Sequence, residues 1–327
     1  MARVVMGSVK KIVIHEEPTE NEFGKGTFEF TNDYSVFDYG KMPDTIPHKG
    51  ECICRMSSFN FKKIEERGIK THFTGNPAPD KIDFKVVRIL HPGKDTITQE
   101  TGNFLVPLEV IFRNTLPEGS SVFKRLESGQ IKPEDIGLSG MPKPGEKLDN
   151  PIIDLSTKLE PTDRYLDEAE AKQISSLSDE EFENMKATAL KINDFLTKHA
   201  ESKGLEHADG KVEFVMSPNR ELMLGDVVGT ADENRFLYNG THLSKQLARD
   251  YYRLSDWPNE VKKAFAEKRE LPKAKPLPRE AVTILGHAYQ SLCETWIGEK
   301  VWSAPSLDEV VAAYNAFMEN AKVAAHS

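Results

Sequence analysis

Cysteine is scarce in this 327-residue chain, at three residues: Cys52, Cys54 and Cys293. An odd number, with Cys52 and Cys54 separated by one residue, excludes a disulfide framework and a zinc-type Cys pair, and suits a reducing cytosolic interior. Positive charge is in deficit, 43 Lys and Arg against 52 Asp and Glu for a net −9. A polyanion meets net repulsion from such a surface, so nucleic acid is not an expected partner and small molecules are. No apolar run is long enough to span a membrane, and the opening MARVVMGSVKKIVI lacks the apolar core of a signal peptide. The expectation is a soluble intracellular, cytoplasmic protein. G-x-x-x-x-G-K-[ST] and G-x-G-x-x-G are both missing, which speaks against a P-loop NTPase and a Rossmann enzyme. The nine histidines show neither metal-ligand spacing nor a catalytic triad.

What is present is a chain that is 38% hydrophobic and long enough for about two domains or lobes. Residues 1–115 favour strands, in the runs RVVMGSVKKIVI, GTFEFT, KIDFKVVRIL and FLVPLEVIF, with one amphipathic helix over residues 52–68. Residues 116–155 are rich in Gly and Pro and read as loop, with a helical turn near 132–136. A helix over 178–204 opens on a capping box of Ser178 and Glu181, and four further helical segments fill the C-terminal third.

The segment KVEFVMSPNRELMLGD, residues 211–226, reads as a hairpin with polar residues among apolar ones. A turn at 217–220 sets position 215 against 222, 213 against 224 and 211 against 226, so that Lys211, Glu213 and Asp226 share one face. Two carboxylates so close need a cation. A surface salt-bridge ladder is the commoner arrangement and a Mg²⁺ site the functional one. Arg235, at the end of the following loop, suits bidentate recognition of a phosphate or carboxylate. Arg113 at a strand end, followed by Gly119-Ser120-Ser121, makes either a phosphate cradle of a non-Walker kind or an ordinary turn capping a helix. The loop 30–50 interleaves Asp33, Ser35, Asp38 and Asp44 with aromatics, for which Asx turns are the commoner cause.

Taken together, FTNDYSVFDYG with its following KG, LVPLEVIFRN with GSSVFKRL, STKLE, ADGKVEF, LGD with RF, LSKQLARDYYR and AYQSLCETWIGEKVWS resemble the SAICAR synthetases (phosphoribosylaminoimidazole-succinocarboxamide synthases) over residues 7–303. The resemblance implies an α+β fold of two lobes. An antiparallel β-rich nucleotide-binding lobe spans 1–106, a larger α+β substrate and metal lobe spans 107–303, and ATP lies in the cleft between them. A helical extension over 304–327 is structural or oligomeric. The implied reaction joins carboxyaminoimidazole ribonucleotide (CAIR) to L-aspartate with cleavage of ATP, and Mg²⁺ as cofactor.

Carried over by motif, Glu213 and Asp226 are the metal-linked acids. Lys211 and Arg235 are cations at the CAIR and phosphate groups, and together with Asp38 they make the implied catalytic set. Arg113, Ser120 and Ser121 cradle the ribonucleotide phosphate, and Lys158 lies by the substrate cleft. Gly7, Ser8, Val9 and Lys10 cover the nucleotide, and Leu105 and Val106 mark the hinge where adenine stacks. The chain has Ser8 where the family usually has lysine, and Val227 where an acidic residue usually follows the hairpin aspartate. An amide ligase with another amine or carboxylate, and a non-catalytic nucleotide-binding paralogue, are the alternative readings.

Overall fold

A computed structural model describes residues 2–7, 9–37, 39–117, 120–160 and 164–326. Its first sheet is wholly antiparallel. Strands β1 (Arg3–Met6), β2 (Lys10–Glu16), β3 (Gly24–Phe30), β4 (Phe73–Ala78) and β5 (Lys81–Val86) lie in the order β1-β2-β3-β5-β4. Gly7 closes the β1–β2 hairpin with its N–H on the Lys10 carbonyl at 2.9 Å, and a Cβ there would sit 2.9 Å from that oxygen, so a larger residue would push the turn open. Helix α1 (Lys49–Glu65) covers the sheet with Ile53, Met56, Phe61 and Ile64. It starts three residues before the predicted span.

The second sheet runs β12-β11-β9-β6-β7-β8, with β10 paired to β9. Its strands are β6 (Phe104–Leu116), β7 (Glu146–Thr157), β8 (Tyr165–Leu166), β9 (Glu206–Met216), β10 (Leu222–Gly225), β11 (Asn234–Tyr238) and β12 (Thr241–His242). Between β6 and β7 lie helix α2 (Ser121–Glu127) and a single 3-10 turn, Pro133–Ile136. The helical turn falls where the sequence placed it. The two ends of the expected 116–155 loop are instead α2 and β7, because pairing with the long central strand β6 orders a segment whose Asn150-Pro151 breaks any local strand pattern.

Helix α3 (Glu168–Ser175) precedes α4 (Asp179–Ser202), which carries the predicted capping box. Ser178 Oγ accepts the Glu181 N–H at 3.2 Å, and the Glu181 carboxylate accepts the Ser178 N–H at 2.8 Å. Its stripe of Phe182, Met185, Ala189, Ile192 and Leu196 is fully buried. The chain ends in α5 (Gln246–Tyr252), α6 (Trp257–Ala266), α7 (Arg279–Ile297) and α8 (Leu307–His326), matching the predicted helical third. Among the described residues no helix is long and apolar enough to cross a membrane.

Period-two alternation decides the two faces of the second sheet. Val110 and Phe112 of β6 lie beside Val212 and Gly210 of β9 and beside Leu155 and Ile153 of β7, and this face packs in the core with α4. The opposite face carries Glu109 and Arg113, Asp209, Lys211 and Glu213, and Asp154 and Ser156 in neighbouring register, with Arg235 of β11 opposite Asp209. Charged side chains so dense on a buried sheet face must satisfy one another or a ligand.

Candidate active site

The hairpin is built differently from the sequence expectation. Leu222 lies opposite Met216 and Gly225 opposite Glu213, one residue out of the predicted register. The cause is a five-residue loop: the Ser217 N–H donates to the Glu221 carbonyl at 2.9 Å, Ser217 Oγ accepts the Glu221 N–H at 2.9 Å, and Arg220 takes a left-handed φ of 57°. Asp226 therefore falls beyond the ladder, itself at φ 52°, and is not opposite Lys211.

Lys211 instead pairs with Glu109, 2.5 Å away, and with Glu233 at 3.3 Å. Lys158 bridges Glu213 at 2.6 Å and Glu109 at 3.3 Å, and Lys10 pairs with Asp226. Glu109 thus joins the two lysines of the C-terminal sheet, and burial pushes its carboxyl up against their pull. Burial alone would lower Lys211, but the carboxylates of Glu233, Glu213 and Glu109 outweigh it and hold the ammonium well above the usual lysine range. Lys211 is thus a fixed cation and no proton acceptor. Desolvation brings Lys10 down to about 8, opposed by Glu213 and Glu233.

A cavity of about 730 Å³ opens between the sheets. Its wall is apolar at Ile12, Ile14, Val86, Leu105 and Val215, while Lys10, Lys158, Glu213 and Asp226 gather at its charged end. Of the predicted nucleotide residues, Lys10, Leu105, Glu213 and Asp226 line it and Lys158 joins them. Gly7 and Val9 lie outside its lining, and Val106 points into the core, fully buried. Ser8 and Asp38 lie outside the described residues.

The donor set fits Mg²⁺ on one observation: two acids share the charged end, and each is neutralised by a lysine. Mg²⁺ usually takes one or two carboxylates and completes its shell with water and phosphate oxygens. Among the described residues no group of three or more Asp, Glu, His or Cys side chains forms a closed cage.

Further along the charged face, the buried Arg113 donates to Asp154 at 3.0 Å, Ser121 Oγ at 3.3 Å and Tyr165 Oη at 3.4 Å. Ser121 in turn donates to Tyr165 at 2.7 Å, and Arg125 forks onto Asp154 at 2.7 and 2.9 Å. Ser120 caps α2 by accepting the Val122 N–H at 3.4 Å. Arg113 Nε and Arg125 Nε find no acceptor among the described residues. Arg235 approaches Asp209 at 3.3 Å and is one-third exposed, free to reach a ligand.

Several participants escaped the sequence reading. Asp154, Asp209 and Tyr165 complete the arginine cluster, and Glu233 completes the lysine one. A fully buried Lys49 pairs with Asp232 at 2.5 Å, and Tyr289 donates to the same carboxylate at 2.7 Å. Alternation along β9 would have flagged Asp209 beside Lys211 and Glu213. Nothing local marks the others, whose partners lie tens of residues away. In the polar loop, Asp44 accepts the Leu277 N–H at 2.8 Å, a structural role.

Comparison with known proteins agrees with this architecture. A phosphoribosylaminoimidazole-succinocarboxamide synthase of Thermoplasma acidophilum is 37% identical over 84% of this chain and 93% of its own. A relative from Archaeoglobus fulgidus, which carries the same name provisionally, is 43% identical over 96% of this chain and 100% of its own. A solved SAICAR synthetase in complex with ADP superposes with a TM-score of 0.64 at 25% identity, over 91% of this chain and 99% of that one. The SAICAR synthase of Saccharomyces cerevisiae in complex with SAICAR shares the fold, with a TM-score of 0.67 at 22% identity over 92% and 96%. The sequence profile of the SAICAR synthetase family matches residues 4–272, and with the two-sheet fold and the charged cleft in agreement, the chain belongs to that family.

Proposed function

We propose that the protein is an ATP-dependent ligase of purine biosynthesis, joining the carboxylate of CAIR to the amine of L-aspartate to give SAICAR, ADP and phosphate. A carboxylate is a poor electrophile. Transfer of the ATP γ-phosphoryl group onto it makes an acyl phosphate, and the amine then displaces phosphate. Such a path needs placed charges more than a covalent nucleophile.

The observation that carries this reading is the meeting of an apolar cavity wall with the lysine and carboxylate lattice of one sheet face. In this proposal the base of ATP lies along Leu105 and its neighbours, and the phosphates point to the charged end. Glu213 and Asp226 would hold Mg²⁺, which when bound neutralises phosphate charge. Lys10 stands at that end as an ammonium, the role left open by Ser8. Lys211 and Lys158 hold anionic oxygens of the reacting groups. Arg235, with Arg113, Ser120 and Ser121, takes the ribonucleotide phosphate, and Asp38 belongs to the catalytic set. The division into lobes at 106 and 303, a cytoplasmic location and a homo-oligomer are parts of the same proposal.

The test is turnover of the purified chain with CAIR, L-aspartate, ATP and Mg²⁺. One ADP per succinocarboxamide supports the proposal. ADP release only with another amine or acid would replace it with a different ligase, and nucleotide binding without turnover with a non-catalytic paralogue.

A further inference from the structure

His72 stands where the two sheets touch, joined to the hairpin strand β10 rather than to the charged face. Its N–H donates to the Leu224 carbonyl at 2.9 Å and its own carbonyl accepts the Lys85 N–H at 2.8 Å. Its ring sits among Phe28, Phe61 and Phe84, with centroids 5.8, 5.6 and 5.0 Å away. From that cage Nε2 reaches the main-chain carbonyl of Asp226 at 2.9 Å. Asp226 is the first residue past the β10 ladder and holds a left-handed φ of 52°, a conformation that costs a non-glycine residue energy and persists only where its surroundings impose it. Phe28, which packs on His72, also carries the Lys10 ammonium 4.4 Å from its ring centre, and Lys10 pairs with the Asp226 carboxylate. One aromatic platform therefore sets both groups that fix Asp226.

We propose that His72 is a positioning residue of the nucleotide site: its imidazole N–H clamps the Asp226 backbone and so aims that carboxylate into the cavity. A histidine buried only for packing would be replaceable by phenylalanine in this cage. The partner of Nε2 is a main-chain carbonyl, which can only accept, so the geometry assigns a ring N–H to Nε2. The inference rests on the reading of Asp226 as a ligand of the Mg²⁺-nucleotide.

The experiment is calorimetric titration of ADP, with Mg²⁺ and with chelator, into wild type, His72→Phe, His72→Gln and Asp226→Asn, alongside thermal melts. Loss of one buried donor predicts that His72→Phe weakens ADP binding about tenfold with Mg²⁺ and leaves metal-free binding unchanged. His72→Gln, which restores an N–H but not the ring, should bind within about twofold of wild type while melting lower. Wild-type Mg²⁺-ADP affinity in His72→Phe, or loss of affinity in both His72 variants in step with their melting temperatures, overturns the positioning role. If Asp226→Asn keeps full Mg²⁺-dependent affinity, the reading of Asp226 falls and this inference with it. If Asp226→Asn loses that affinity while His72→Phe retains it, the positioning role alone is overturned.

Discussion

Arg113 and Arg235 approach one carboxylate, Asp209, from the strands on either side of it, at 3.6 and 3.3 Å. The two arginines are not equivalent. Arg113 is enclosed and also bound to Asp154, whereas Arg235 is one-third exposed. Arg235→Lys keeps the charge and loses the planar fork, so steady-state kinetics should show KM for CAIR rising about tenfold while the melting temperature hardly moves. Arg113→Lys should lower the melting temperature as well, because it breaks a buried network. An Arg235→Lys variant with unchanged KM would remove Arg235 from the substrate site.

Glu181 has two tasks at once. It completes the α4 capping box and forks onto Arg220, the left-handed residue of the hairpin loop, at 2.8 and 2.5 Å. Glu181→Ala should cost about 1–2 kcal/mol in denaturant unfolding, since both a cap and a partly buried ion pair are lost. KM values should stay near wild type, because the pair lies at the loop end of the hairpin rather than at Asp226.

Stability should fall on the acid side because of His207. The buried ring lies between Thr197 and Asn234, each 2.9 Å away, and desolvation lowers it to about 4 against an ordinary 6.5. Between those two values the unfolded chain holds a proton that the folded chain does not, so stability declines as pH drops from 6.5 toward 4, by ~3 kcal/mol in full. Urea unfolding at pH 7, 5.5 and 4.5 measures the slope. His207→Gln does not titrate and should reduce it by about one proton.

The strand runs and helical stripes of this chain were legible because each is a local pattern: the capping box at Ser178, the stripe from Phe182 to Leu196, and the polar–apolar alternation around Glu213. Motif order placed Lys10, Leu105, Lys158, Glu213 and Asp226, and these do converge on one cavity. The hairpin register was not legible, since whether Glu221 belongs to strand or loop depends on Ser217 bonding across it. The ion-pair partners were hidden for a related reason. Lys211 meets Glu109 across 102 positions, and Lys10 meets Asp226 across 216. Strand β7 was lost in a Gly- and Pro-rich stretch and exists because β6 offers it a ladder.

The central claim, that the end of the hairpin is the metal and phosphate end of an ATP site, is tested most directly by Asp226→Asn in the succinocarboxamide assay. The substitution keeps size and removes charge. The account predicts that kcat/KM falls by at least about 100-fold, as expected when a group that organises transition-state charge is lost, with an unchanged circular dichroism spectrum. Turnover near the wild-type rate in a folded Asp226→Asn protein would contradict it.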